Sequence, residues 1–168
     1  MRWISSAGGP LILLPSSLRS RWSGVVRAAQ DEPSDYDVAC SVNGYVGVIS
    51  RYGSSILVLD DVPMQTAIAK TGVDRLMFVR WKYAPSEGIV EEELRRIRLD
   101  SARELERTHI VVRESTHYLM DAGEPGSDPQ QFEVVELVPE EYIVRVVEHA
   151  PRRDTKLLLY ELAPPLPV

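Results

Sequence analysis

Cysteine is almost absent: Cys40 stands alone among 168 residues, which excludes an intrachain disulfide and suits a reducing compartment. Long apolar runs are missing too, and none approaches the roughly 20 residues that a membrane-spanning helix needs. A secretion signal is not legible either. Arg2 supplies one basic charge, but the apolar core is only Leu11 to Leu14, cut off by Pro10 and Pro15, and no A-x-A cleavage site follows. The expected location is the cytoplasm, with no membrane partner.

Catalytic signatures are equally scarce. The stretch WISSAGGPLILLP, from Trp3 to Pro15, sets Gly8 and Gly9 before an apolar run. A phosphate-binding loop would follow its glycines with Lys and Ser or Thr, so that backbone amides and an ammonium surround the phosphates. Here Pro10 has no amide to donate, and Leu11 stands where the lysine would be. A dinucleotide-binding turn would open a helix, and Pro15 arrives too soon for one. The stretch therefore reads as a turn between a Trp-Ile strand and a short strand, Leu11 to Leu14, buried on both faces. No G-x-S-x-G elbow and no H-E-x-x-H pair occurs. His109, His117 and His149 lack metal-ligand spacing. Cys40, in YDVACSV, reads as a small buried hydrophobe rather than a nucleophile. Asp60-Asp61 either chelates a metal or forms a turn by bonding its own backbone, and the turn is favoured. No cofactor, no metal and no enzymatic activity are expected.

What is present is mostly strand. Tyr45 to Ser50, a turn at Arg51-Tyr52-Gly53-Ser54 and Ile56 to Leu59 predict a hairpin, entered at Asn43-Gly44. Further strands are predicted at Thr66 to Lys70, Arg75 to Tyr83, Thr108 to Arg113, Thr116 to Met120, Phe132 to Leu137, Tyr142 to Glu148 and Leu157 to Tyr160. The main helix is expected over Ser86 to Ile97, with Ser86 as N-cap and Val90, Leu94 and Ile97 on one face. That pattern extends towards Leu105, although Leu99 is out of phase. The spacing of Leu18, Trp22, Val25 and Val26 predicts a short amphipathic helix over Leu18 to Ala29, and Tyr36 to Ser41 a single helical turn. The expected fold is one α+β domain over residues 1–168. It is dominated by antiparallel β-sheet, with one main helix and one or two short ones.

Charge is unevenly spread. Met1 to Tyr83 holds nine Lys and Arg against seven Asp and Glu, whereas Ala84 to Val168 holds ten against eighteen. Between Glu114 and Val144 there is no Lys or Arg, and eight acids: Glu114, Asp121, Glu124, Asp128, Glu133, Glu136, Glu140 and Glu141. Such a stretch repels nucleic acid. It attracts a basic protein surface, or else is simply a solvated face.

WISSAGGPLILLP, Trp22-Ser23-Gly24 and DYDVACSVNGYVGVI (Asp35 to Ile49) together resemble the immunity protein 21 family of bacterial polymorphic toxin systems. Asp61 to Thr66, Leu76 to Trp81, YLMDAGEPG (Tyr118 to Gly126) and PEEYIVRV (Pro139 to Val146) fit the same pattern. Arg51-Tyr52 in the hairpin turn and Glu140-Glu141 before Tyr142 depart from it. The resemblance implies a non-enzymatic protein that binds the C-terminal domain of a cognate toxin. Trp3, Gly8, Gly9, Pro10, Trp22, Asp37, Cys40, Tyr45 and Gly47 are its framework positions, with Trp3 in the core and Gly8 or Gly9 at positive φ.

The expected toxin-binding residues are Glu124, Asp128, Glu133, Glu136, Glu140, Glu141 and Tyr142, facing a basic partner. Glu124 and Asp128 lie in a Gly/Pro-punctuated loop, while Glu133 and Glu136 fall on opposite faces of one strand. Tyr118 or Tyr142 is either an aromatic anchor or core. The rival readings are a ligand-binding or oligomer-forming β-rich module, with Trp22 or Trp81 lining a pocket, and a metal-dependent enzyme around Asp60 and Asp61.

Overall fold

Leu11, Ile12, Leu13 and Leu14 are all 0% exposed. Adjacent strand residues point to opposite faces, so burial of all four requires cover on both sides of the sheet. A computed structural model, describing residues 1–59, 64–70, 75–99 and 102–165 (without the side chain of residue 70), shows what provides it.

The chain runs β1 (Trp3–Ile4), β2 (Leu11–Pro15), a 3-10 turn (Ser16–Leu18), α1 (Asp35–Ala39), β3 (Val46–Arg51) and β4 (Ser54–Leu59). It continues through β5 (Gln65–Lys70), β6 (Leu76–Tyr83), α2 (Glu87–Arg96), β7 (Arg103–Val111) and β8 (Thr116–Asp121). Three strands finish it: β9 (Phe132–Glu136), β10 (Glu141–Arg152) and β11 (Thr155–Ala163). Six strands form one antiparallel sheet in the order β1-β5-β6-β11-β10-β7, and five form a second in the order β3-β4-β2-β8-β9. This is an α+β domain dominated by antiparallel sheet, with one main helix.

Three apolar layers follow from strand parity. Leu11, Leu13, Leu57, Leu59 and Val135 of the five-stranded sheet pack against Phe78, Val144, Val146, Leu158 and Tyr160 of the six-stranded one. The alternate residues of the smaller sheet, Ile12, Leu14, Val58 and Met120, meet Leu18, Trp22 and Ala39. On the far side of the larger sheet, Met77, Val79, Leu157 and Leu159 are covered by Val90 and Leu94 of α2. The helix starts where expected: Ser86 accepts the Ile89 N–H, and Glu87 lies in the first turn.

The Gly-Gly-Pro stretch does not fold a hairpin. It carries the chain from one sheet to the other, since β1 pairs with β5 and β2 with β4 and β8. The Asp121 carboxylate holds the crossing by accepting the Ala7 N–H at 2.6 Å and the Gly123 N–H at 2.8 Å. Gly8 sits at φ 129°, and a side chain at Gly9 would lie 2.4 Å from the Tyr36 ring.

Four expectations are corrected. Residues 18–29 form no α-helix: after the 3-10 turn the chain bends around Trp22, whose indole N–H donates to the Ala122 carbonyl at 3.0 Å. Val25 and Val26 are 60% and 63% exposed, because Gly24 at φ 61° turns the chain so that the Val25 N–H reaches the Gly123 carbonyl. Trp3 is half-buried rather than core, tilted against Trp81 at 5.4 Å. After α2 the chain re-enters strand at Arg103, so the helical pattern does not reach Leu105.

The fourth correction is Cys40, which is exposed. It caps the C-terminus of the five-residue α1, and Ala39 is the side chain turned inward. The Cys40→Ser variant should therefore change stability by less than about 0.5 kcal/mol in urea unfolding. A buried cysteine would give a clearly larger loss.

Candidate protein-binding surface

The groups that would carry catalysis are dispersed. His109 Nδ1 pairs with Glu141 Oε1 at 3.2 Å, and His149 Nε2 lies 3.5 Å from Glu93 Oε2. His117 is buried, and that burial pushes its pKa below the ordinary imidazole value. Among the described residues no group of three or more His, Cys, Asp or Glu could hold a metal ion. Asp60 and Asp61 lie outside the described residues. No described helix is long and apolar enough to cross a membrane.

Both tryptophans expected of a ligand-binding module are engaged in packing. Trp22 is 2% exposed and Trp81 packs on Trp3. An open hollow of about 190 Å³ does exist on the six-stranded sheet beyond α2, lined by Arg75, Arg107 and Arg145 around Glu161. Each of its arginines already has a carboxylate partner. Arg145 donates to Glu161 at 2.8 and 3.1 Å, Arg75 reaches Glu161 at 3.4 Å, and Arg107 pairs with Glu104 at 2.8 Å.

Matching of this kind is the rule on that side of the molecule. Glu91 pairs with Arg95, Glu92 with Arg96, Glu93 with Arg152 and Glu148 with Lys156. The arginine-free and lysine-free stretch is different. Its carboxylates have two fates, and sequence proximity does not reveal which.

Some of them are structural. Glu114 accepts the Ser17 N–H and the hydroxyls of Ser16 and Ser17, holding the 3-10 turn. Burial works against that charge, but these hydrogen bonds outweigh it, and its pKa is lowered. Asp121 fixes the sheet crossing. Glu124 accepts the Gln130 N–H at 2.7 Å and so closes its own loop, beside which Asp128 is exposed. Glu133 is bridged by the Arg2 guanidinium at 2.6 Å.

Besides Asp128, which no Lys or Arg meets among the described residues, Glu136, Glu140 and Glu141 remain. All three are exposed, at the connection that carries the chain from β9 in one sheet to β10 in the other. Their backbone is well anchored: the Leu137 N–H donates to Ser115 O and the Val112 N–H to Glu140 O, both at 2.9 Å. Glu136 accepts the Thr116 hydroxyl, and Glu141 faces His109. No Lys or Arg pairs with any of them among the described residues.

Exposed valines stand among these carboxylates: Val138 is 61% exposed and Val111, opposite Glu141, 49%. A preorganised rim that mixes unmatched carboxylates with uncovered apolar side chains suits a protein partner better than a small molecule.

Tyr142 is not part of that surface. It is 4% exposed, and its hydroxyl bonds the Val138 backbone at 3.1 Å, so it braces the rim from inside. Nor does the expected acidic face form one patch. Glu136 lies opposite Thr116, at one end of the β8–β9 pair, while Glu124 and Asp128 lie in the loop at the other end. Five residues of extended strand separate the two ends by about 15 Å.

A family model described as Immunity protein 21 matches residues 2–155 of the chain. No curated protein and no solved structure matches it.

Proposed function

We propose, from the premise that the chain belongs to the immunity protein 21 family, that it binds and neutralises a cognate polymorphic toxin in the cell that makes both. The target is the toxin's C-terminal domain, the compartment is the bacterial cytoplasm, and the inhibition is stoichiometric rather than catalytic. The partner surface is basic, and nucleic acid is not a ligand.

The observation that carries the reading is the rim of Glu136, Glu140 and Glu141, which no Lys or Arg meets among the described residues, while the glutamates of α2 and Glu148 of β10 are paired. An acidic rim raises the encounter rate with a basic partner and fixes its orientation. The exposed valines beside it supply apolar contact that excludes water. The loop carrying Glu124 and Asp128 is a second, separate contact region in this reading, with Glu133 between the two.

Growth rescue tests it. The C-terminal domain encoded by the neighbouring large open reading frame is expressed in a sensitive host, with and without this chain. Rescue together with a co-purifying one-to-one complex is expected. Rescue without a complex would overturn stoichiometric binding and point to an enzyme that acts on the toxin or its product.

A further inference from the structure

The register of β9 determines where its main chain points. In an antiparallel pair, residues that exchange hydrogen bonds alternate with residues whose N–H and C=O point the other way. The Leu137 N–H donates to Ser115 O, and His117↔Val135 and Leu119↔Glu133 continue that bonded set two residues at a time. The N–H and C=O groups of Phe132, Val134 and Glu136 are therefore directed away from β8. An independent contact agrees: the Phe132 carbonyl accepts from Arg2 at 3.3 Å, outside the sheet.

β9 is the last strand of its sheet, so this outward set forms an edge. The other edges are guarded. β1 is only two residues long. At β3, the Glu106 carboxylate accepts the N–H groups of Tyr45 and Val46 at its start. β7 carries a register shift that leaves Leu105 unopposed, which bends it away from a flat template. β9 has no proline, no lysine and no bulge, and Val134 is 48% exposed.

We propose that β9 is a receptor edge, onto which the toxin adds an extended segment as a sixth strand of the five-stranded sheet. This rests on the reading of the chain as a toxin-binding protein and supplies its binding mode. Main-chain hydrogen bonds to Val134 and Glu136 give the register, and alternate side chains of the incoming strand meet Val134 and the adjoining Phe132–Tyr118 pair.

Charge decides the occupant. The strand leads directly into Glu136, Glu140 and Glu141, so basic residues at one end of the incoming segment are favoured. A second copy of this chain is disfavoured. Antiparallel self-pairing about Val134 would bring the Glu136–Glu141 rim of one copy against the Glu124–Asp128 loop of the other.

The test uses the full chain and a catalytically disabled C-terminal toxin domain. Val134→Pro removes the outward N–H but no bond to β8, a position where an edge strand accepts proline. Val134→Ala is the side-chain control. The proline variant should bind at least tenfold more weakly than the alanine variant, with an unchanged circular dichroism spectrum. In the wild-type complex, the Val134 and Glu136 amides should become protected from hydrogen exchange, a readout that holds even if the proline variant misfolds.

Equal binding by both variants, or unprotected amides in a stable complex, would overturn strand addition while leaving toxin binding intact. Loss of a homodimer rather than of the toxin complex would overturn the choice of occupant. No toxin complex with the wild-type chain would remove the underlying reading.

Discussion

Replacing Asp35 with alanine should cost about 3 kcal/mol of stability and lower the unfolding midpoint by roughly 6–12 °C. Asp35 is 1% exposed, yet it is an anion at the start of α1. Its carboxylate accepts the Arg51 Nε–H at 2.7 Å, the Tyr52 hydroxyl at 2.8 Å, the Ser23 N–H at 2.8 Å and the Ser23 hydroxyl at 3.2 Å. One side chain thus ties the covering segment to the tip of the β3–β4 hairpin. Tyr52 at φ 54° and Gly53 at φ 80° form that tip, so a non-glycine residue at positive φ is also one that Asp35 holds. Alanine leaves the partly buried Ser23 N–H without its acceptor. Arg51 keeps access to water, which limits the loss.

The pH dependence has a definite sign. Burial opposes the Asp35 charge, but the bonds from Ser23, Arg51 and Tyr52 outweigh it and lower the pKa. A lowered carboxylate stabilises the fold fully above its unfolded value of about 3.9 and loses that contribution as pH falls through the lower folded value. The gap between wild type and Asp35→Ala should therefore be constant from neutral pH to about pH 4 and close below it. His117, whose burial lowers its pKa, is common to both proteins, so its titration cancels in the difference. A midpoint shift equivalent to less than about 1 kcal/mol at pH 7 would show that the network is not holding the segment.

The elements that could be read from the sequence are those whose pattern is set locally. The β3–β4 hairpin has an apolar run on each strand and a glycine in its turn. The helix over Glu87–Arg96 has its serine cap and one apolar face. Leu11 to Leu14 announced a strand covered on both sides, because four consecutive leucine-type residues cannot be half-solvated.

What misled was apolar spacing whose cause is tertiary. Leu18 and Trp22 share one turn, in which the Trp22 N–H donates to the Leu18 carbonyl at 3.0 Å, and both drop onto the outer face of the smaller sheet, but no helix continues from that turn. Cys40 stood in an apolar run, but only a single helical turn separates that run from solvent. The pattern that predicts β7 begins five residues late, at Thr108, because Arg103 to Arg107 is charged on a strand exposed along an edge. The division of the described strands between two sheets is not legible at all. Pairings such as β2 with β8 join residues about a hundred positions apart, and no local period encodes them. The same non-locality split the acidic stretch, which is continuous in sequence and serves two ends of the molecule in space.

That split makes the second large effect a contrast between two variants. Changing Glu136, Glu140 and Glu141 together to lysine should weaken the toxin complex roughly 100-fold, mostly through lost steering and new like-charge contacts. All three side chains are exposed and their backbone is held by other groups, so stability should move by no more than about 0.5 kcal/mol per site. Glu124→Lys with Asp128→Lys inverts two charges of the same stretch about 15 Å away and should weaken the complex only a few-fold. Wild-type affinity should fall as salt rises towards about 0.5 M, and that of the triple variant should not, because screening relieves the like-charge contacts that its lysines introduce. The reverse ranking, a damaging loop pair and a silent rim triple, would move the toxin to the loop end. Strand addition along β9 would then have to run towards Phe132 and Arg2 rather than towards the rim. Measuring both variants against the same immobilised toxin domain, at two salt concentrations, separates a rim that contacts the partner from one that only keeps an acidic protein soluble.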